Sequence, residues 1–156
     1  MSKSKILQAG EGERRWFYGG GLHTWKVSEA DSDGTLALVE DDLVEGKCTP
    51  LHDHPDSDEL TYLLEGSCRV RVGDDETVVD AGGSWFVPRG TAHAFLVLSP
   101  VARTVTVMVP GPISRFYLEA SEPAGDEDGP LDFDRVRASA VATGGMTFLG
   151  PPPFGR

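Results

Sequence analysis

The stretch that decides the fold is GKCTPLHDHPDSDELTYLLEG, residues 46–66. His52 and His54 flank one residue within it, and Glu59 follows five positions after His54. Side chains two positions apart on a strand point to the same face, so the two imidazoles are expected on one side. A turn through PDSD then lets Glu59, at the start of the next strand, face the same point. The alternatives at this stage are a transition-metal site and an ordinary polar turn.

Residues 22–110 consist of short strand-like runs that end in Gly, Pro or Asp. No helical periodicity separates them. Nine short strands in succession predict an all-β sandwich or small barrel. The runs are LHTWKVS, TLALVEDDLV, KCTPLHDH, ELTYLLEG, SCRVRVG, ETVVDAG, SWFVPRG, AHAFLVLS and RTVTVMVPG.

After residue 110 the pattern changes. ISRFYLEAS fits either a short helix or a further strand, EPAGDEDGPLD is an acidic loop, and DFDRVRASAVATGG predicts a helix capped by Asp132 or Asp134. The tail FLGPPPFGR is expected along the surface or across an opening. The predicted organisation is a lead-in at 1–21, a barrel at 22–118, and a loop, helix and Pro-rich tail at 119–156 packed on the barrel.

Length and charge limit the classes of function. The 156 residues fit a single domain with one core. With 14 basic and 25 acidic residues, the formal net charge of −11 disfavours nucleic acid and anionic membrane surfaces as partners. Cys48 and Cys68 form no CxxC pattern, and the N-terminus shows no signal-peptide core. The expected location is therefore the cytoplasm.

A complete metal site needs a further ligand from elsewhere in the chain. The other two histidines are His23 and His93. His93 follows GGSWFVPRGTA, where Gly82, Pro88 and Gly90 predict a strand, a turn and another strand. His23 has no such context and is expected to be a satisfied or surface histidine.

These two segments resemble the cupin superfamily. The first cupin motif, G(x)5HxH(x)3–4E(x)6G, is matched by Gly46, His52, His54, Glu59 and Gly66. The second motif, G(x)5PxG(x)2H(x)3N, is matched by Gly82, Pro88, Gly90 and His93, while Val97 stands at its final Asn. Within the superfamily, the chain looks like the small single-domain type-2 group that is quercetin-dioxygenase-like.

The resemblance implies a single jelly-roll β-barrel, or double-stranded β-helix, with one divalent transition metal per chain. The implied ligands are His52, His54, Glu59 and His93, and Fe, Ni, Mn, Co, Cu and Zn all suit this donor set. The implied activity is that of a dioxygenase on a small aromatic or enolic, flavonol- or polyketide-like substrate, with Glu59 as the catalytic base. A metal-dependent cyclase or isomerase and a non-catalytic small-ligand-binding cupin remain as alternatives.

Two further expectations concern the pocket and the assembly. Phe95 lies two residues beyond His93 and so is expected on the same inner face, and Phe86 and Trp25 are the other candidate pocket walls. The runs TLALV and TVTVMV look apolar on both faces, which favours a homodimer.

Overall fold

The computed structural model describes residues 1–2, 4–17, 20–125 and 132–155. Its β-structure begins before the predicted barrel and continues after it. The strands are β1 (Glu13–Phe17), β2 (Gly21–Val27), β3 (Ala37–Val44), β4 (Leu51–Asp53), β5 (Asp58–Glu65), β6 (Ser67–Val72), β7 (Asp75–Asp80), β8 (Ser84–Val87), β9 (His93–Val97), β10 (Val101–Val109), β11 (Glu122–Pro123) and β12 (Thr147–Gly150).

The strands form two antiparallel sheets that face each other. The seven-stranded sheet has the order β11-β1-β2-β3-β10-β5-β8, and the five-stranded sheet has the order β12-β4-β9-β6-β7. A hydrophobic core between them draws on both sheets and comprises Leu43, Leu63, Cys68, Val70, Trp85, Val87, Val97 and Ala102. The all-β prediction is confirmed.

Alternation along the strands determines which side chains enter the interior. In β6, Cys68 and Val70 are buried, whereas Arg69 and Arg71, which alternate with them, are half-buried. The turn from β6 to β7 passes through Gly73 at φ 60°, a left-handed conformation that glycine adopts without strain. Strands β6 and β7 thus form a hairpin.

Short helices follow β2 and β10, and a longer one precedes β12. They are α1 (Glu29–Ser32), a 3-10 turn (Gly111–Ile113), α2 (Ser114–Ala120) and α3 (Phe133–Thr143). The open choice for ISRFYLEAS is thus resolved as a helix. Asp132 caps α3 by accepting the backbone N–H of Arg135 at 3.0 Å, and Gly144 ends it at φ 68°. Among the described residues, no helix has the length and apolarity that a bilayer crossing requires.

Local patterns did not predict three of the strands. β1 lies in the predicted lead-in and pairs with β2 along its whole length, so the sheet begins before residue 22. Pro123 of β11 pairs with Arg15 of β1. β12 lies at the start of the predicted surface tail and pairs with β4, with Phe148 opposite His52. Residues 126–131 of the predicted acidic loop lie outside the described residues.

Candidate metal site

The four predicted ligands come from both sheets. His52 lies in β4 and His54 directly after it, and His93 opens β9. His52 and His93 are direct cross-strand partners in the five-stranded sheet. Glu59 comes from β5 in the opposite sheet, where Met108 and Val87 are its neighbours. The site therefore spans the interior between the two sheets.

The four side chains are buried and close together. One ring nitrogen from each histidine lies within 4.8 Å of the others. The ring centroids of His52 and His93 are 4.1 Å apart, and that of His54 lies 5.0 Å and 5.1 Å from them. Glu59 Oε2 lies 3.3 Å from His54 Nε2 and 3.9 Å from His93 Nε2. The predicted ligand set is thus brought together in space.

Backbone carbonyls orient all three imidazole rings. A carbonyl oxygen only accepts, so each Nδ1 that contacts one must carry the hydrogen. In the neutral ring this leaves Nε2 as the lone-pair atom, and a fixed tautomer of this kind is what a metal-ligating histidine needs. The contacts are His52 Nδ1 to Pro50 O at 2.8 Å, His54 Nδ1 to Gly145 O at 2.9 Å and His93 Nδ1 to Thr91 O at 2.9 Å.

Burial favours the neutral form of two of these rings. It lowers the pKa of His52 well below its usual value, and the neighbouring His93 and His54 lower it further. Burial also lowers the pKa of His93, although Glu59 opposes this shift. Both rings are therefore neutral at pH 7 and offer a lone pair.

The arrangement calls for a cation between the four side chains. Among the described residues, the buried Nε2 of His93 has no hydrogen-bond partner. His54 Nε2 and Glu59 Oε2 are only 3.3 Å apart, and two lone pairs at that distance repel unless a proton or a metal ion lies between them. Three nitrogens and one carboxylate oxygen are a donor set that divalent transition metals accept. The residues present therefore fit such an ion.

Glu59 depends on its neighbours for its charge. Burial raises the pKa of this carboxyl, but its contacts with His54, His93 and His52 outweigh burial and hold the pKa at about 2. The other carboxylate oxygen, Oε1, accepts a hydrogen bond from Thr61 Oγ1 at 3.3 Å. Oε2 is thereby left facing the histidines.

A cavity inside the barrel opens onto this site. Trp25, which is 1% exposed, and Phe95, which is half-buried, both line it. Phe86 does not, and its predicted place in the pocket wall is wrong. Strand β8 turns Trp85 and Val87 inward, so Phe86 between them points outward and is 56% exposed.

Two residues near the ligands were not predicted from the sequence. Tyr117, in α2, donates its O–H to His54 Nε2 at 3.3 Å, and burial raises the pKa of this phenol well above its usual value. Gly145 supplies the carbonyl that orients His54, and a Cβ there would lie 2.7 Å from Phe116 Cβ. Tyr117 lies in ISRFYLEAS, which fitted either a helix or a strand. Gly145 lies in a Gly-Gly pair that predicted only the end of a helix.

A second polar group lies in the same cavity wall. His23 is buried rather than on the surface, and its Nε2 lies 3.6 Å from Asp41 Oδ1. Lys47 is also buried and donates from Nζ to Phe17 O at 3.3 Å. No local sequence pattern groups these residues, because they are brought together by strand pairing and packing.

Comparison with known proteins also points to the cupin family. The Cupin domain family model matches residues 40–109. The quercetin 2,3-dioxygenase of Bacillus subtilis (strain 168) is 28% identical over 136 residues, which cover 84% of this chain and 40% of that protein. The tetracenomycin polyketide synthase protein TcmJ of Streptomyces glaucescens is 40% identical over 62 residues, 40% of each chain. The matches thus span about two fifths of the length of these curated relatives.

Among solved structures, an RmlC-like cupin from Shewanella frigidimarina NCIMB 400 superposes with a TM-score of 0.60 at 22% identity. The match covers 70% of this chain and 95% of that one, and it supports the predicted jelly-roll fold. The two matched motifs, the two-sheet barrel and the buried histidine cluster agree with the Cupin domain match, and together they identify residues 40–109 as similar to a cupin domain.

Proposed function

We propose that this protein is a metal-dependent cupin oxidoreductase, a dioxygenase that acts on a small aromatic or enolic compound. The observation that carries the proposal is the convergence of three histidine Nε2 atoms and the Glu59 carboxylate inside an aromatic-walled cavity. The 28% identity to a quercetin 2,3-dioxygenase supports the reaction class.

His52, His54, His93 and Glu59 would hold the ion. A divalent transition metal bound there would supply a Lewis acid that stabilises negative charge on a substrate oxygen. Glu59 is the proposed base, and its Oε2 takes the proton from an enol or phenol hydroxyl of the substrate. Thr61 keeps the other carboxylate oxygen turned away from the histidines, which holds Oε2 towards the reacting group.

Tyr117 is suited to stabilise the oxygen anion that this proton transfer leaves. Its raised pKa keeps the phenol protonated, so it remains a donor at neutral pH. Its hydroxyl lies 3.3 Å from His54 Nε2, within reach of an oxygen atom beside the histidines. Trp25, Trp85 and Phe95 line the cavity with aromatic surface that suits a flat substrate and excludes water.

A cyclase or isomerase is the second candidate. The 40% identity over 62 residues to a polyketide synthase protein favours it. The same base and donor would rearrange an enolised substrate without consuming dioxygen. The two candidates share the metal site and differ only in what attacks the substrate.

Two expectations about the environment remain predictions, namely the cytoplasmic location and the homodimer. The outer face of β5 and β8 exposes Leu60, Tyr62 and Phe86, each between 46% and 56%. Leu60 and Phe86 are cross-strand neighbours on that face. Light scattering on the purified protein gives the mass that tests the homodimer.

The experiment begins with elemental analysis of protein purified without an affinity tag. Protein reconstituted separately with iron, nickel, cobalt and manganese is then tested in an oxygen electrode against a panel of flavonols and enediols. We expect oxygen uptake in at least one metal form, and its loss in Glu59→Gln but not in Phe86→Ala. Conversion of substrate without oxygen uptake would favour the cyclase or isomerase. No conversion of any substrate in any metal form would contradict both and leave ligand binding as the function.

A further inference from the structure

Three polar atoms in the cavity wall lack a hydrogen-bond partner within the part of the chain that the structure describes. They are Trp25 Nε1, His23 Nδ1 and Asp41 Oδ1, and all three are buried. Buried polar atoms are costly to leave unpaired, and proteins rarely do so without a reason. The three residues line the same cavity as the metal site.

Strand pairing holds this group in place. His23 on β2 is the cross-strand partner of Asp41 on β3. Thr104 Oγ1 donates to Asp41 Oδ2 at 3.0 Å, which fixes the carboxyl and leaves Oδ1 3.6 Å from His23 Nε2, too far for a hydrogen bond. The ring of His23 stacks on Phe17 with centroids 5.2 Å apart, which limits its rotation.

The group adjoins the metal site but is distinct from it. The ring of Tyr117 lies between the two, with its centroid 5.8 Å from that of His23 and 6.1 Å from that of His54. Trp25 packs against the same tyrosine at 5.9 Å. A molecule that lies along Tyr117 can therefore contact both groups at once.

The polar atoms match a neutral group that both donates and accepts. The indole N–H of Trp25 only donates, whereas Asp41 Oδ1 accepts when the carboxyl is ionised and can also donate when it is protonated. Burial raises the pKa of Asp41 to about 7 and lowers that of His23 to about 3, so charge is disfavoured at both. The charge of Lys47 acts on both groups, and its Nζ donates to Phe17 O. A hydroxyl group satisfies the donor and the acceptor together.

The space around these atoms limits the size of the ligand. The cavity has a volume of ≈ 70 Å³. That volume holds about five to seven water molecules, at roughly 10–15 Å³ for each. One hydroxylated ring fits this space better than a three-ring flavonol.

We propose that His23, Asp41 and Trp25 form a second subsite, which binds a hydroxyl group of a compact, single-ring substrate. The other polar end of the same substrate would lie at the metal site, and this part of the inference rests on the proposed function. Binding of the hydroxyl at the subsite itself needs no metal and can be tested separately.

The test is an NMR titration of the zinc-loaded full chain with phenol and with anisole. Anisole keeps the ring but replaces the hydroxyl hydrogen with a methyl group. The indole N–H signals of the three tryptophans are assigned with Trp→Phe variants. We expect phenol to shift the Trp25 signal and anisole to bind at least about 10-fold more weakly, the scale of one lost hydrogen bond between well-placed partners.

Variants then identify the atoms responsible. Trp25→Phe removes the donor and Asp41→Leu removes the acceptor, and each is expected to weaken phenol binding about 10-fold, measured on the ring signals of the ligand. Phe86→Ala, on the outer face, is the matched control and should leave the affinity unchanged. Equal affinities for phenol and anisole, or phenol shifts confined to residues around His52, would overturn the subsite.

A further variant separates this inference from the proposed function. His93→Ala removes a metal ligand but leaves the subsite intact, so phenol should still shift the Trp25 signal. Phenol binding without oxygen uptake by any metal form supports the subsite while the dioxygenase proposal fails. Oxygen uptake without a preference for phenol over anisole contradicts the subsite while the dioxygenase proposal stands.

Discussion

The metal site and the His23–Asp41 group differ in the hydrogen-bond partners of their polar atoms. At the metal site, each histidine has Nδ1 fixed by a backbone carbonyl and Nε2 turned towards Glu59 or its fellow ligands. At the His23–Asp41 group, polar atoms lack partners within the described residues and burial disfavours charge. The first is organised for a cation and the second for a neutral molecule. We therefore propose that one cavity holds both ends of a substrate in different chemical environments.

Among changes to these two groups, loss of a metal ligand should have the largest effect. His93→Ala removes one of the three Nε2 donors, and we expect the metal content of the purified protein to fall to background. The side chain is buried in a cavity rather than in the packed core, so the circular dichroism spectrum should stay close to that of the wild type. Undiminished metal content in a folded variant would show that the cation site is elsewhere.

The His23–Asp41 group should influence stability through its charge. The pKa of Asp41 is about 7 in the folded protein against 3.8 for an unperturbed carboxyl, so the folded state binds more protons between these values. The free energy of unfolding should therefore fall as the pH rises from about 4 to 7, by on the order of 3 kcal/mol, and stay low above pH 7.

Asp41→Asn removes this titration. Urea unfolding at pH 5, 6, 7 and 8 should show a flatter dependence on pH for the variant than for the wild type. The ion-paired surface residue Asp58 supplies the control, because Asp58→Asn leaves the buried carboxyl in place. An identical fall in stability for Asp41→Asn and the wild type would mean that this carboxyl is ionised throughout the range.

The orientation of His54 provides a smaller perturbation of the metal site. In Gly145→Ala the new Cβ meets Phe116 Cβ at 2.7 Å, so the backbone must shift and carry its carbonyl away from His54 Nδ1. We expect metal affinity to fall about 10- to 100-fold, as is typical when a partner of a ligand is lost. Gly150→Ala is the control, since a Cβ there meets nothing within 4 Å. Equal metal affinity in the two variants would contradict a role for this carbonyl.

Tyr117 lies between the two groups and should show the smallest effect. Tyr117→Phe keeps the ring that packs against His23 and removes the hydroxyl that donates to His54. We expect the free energy of unfolding to drop by about 1 kcal/mol and metal affinity to change less than about 3-fold. Calorimetric titration with zinc measures the latter. A loss of affinity as large as that of Gly145→Ala would make Tyr117 part of the metal site itself.

The metal site was largely predictable because His52, His54 and Glu59 are close in sequence and His93 matches the second cupin motif. The spacing of His52 and His54 fixes a common face, and the placement of Phe95 followed in the same way from His93 on one strand. Phe86 was misplaced because no ligand on β8 indicates which face of that strand turns inward. Which residues of a strand face the interior is known only once one of them has been assigned to that face.

The remainder depends on contacts between distant parts of the chain. Gly145 lies 91 positions from the histidine it orients, and β12 reaches His52 through a pairing that its own four residues do not specify. His23 and Asp41 meet only through the register of β2 against β3. No local pattern contains this information, because it arises when the sheets assemble.

The most direct test of the metal site is anomalous diffraction from crystals of tag-free protein, recorded at the absorption edge of the metal found by elemental analysis. We expect one anomalous peak within about 2.0–2.2 Å of the Nε2 atoms of His52, His54 and His93. A peak at another position, ligation through Nδ1, or no peak in crystals of the reconstituted protein would contradict it.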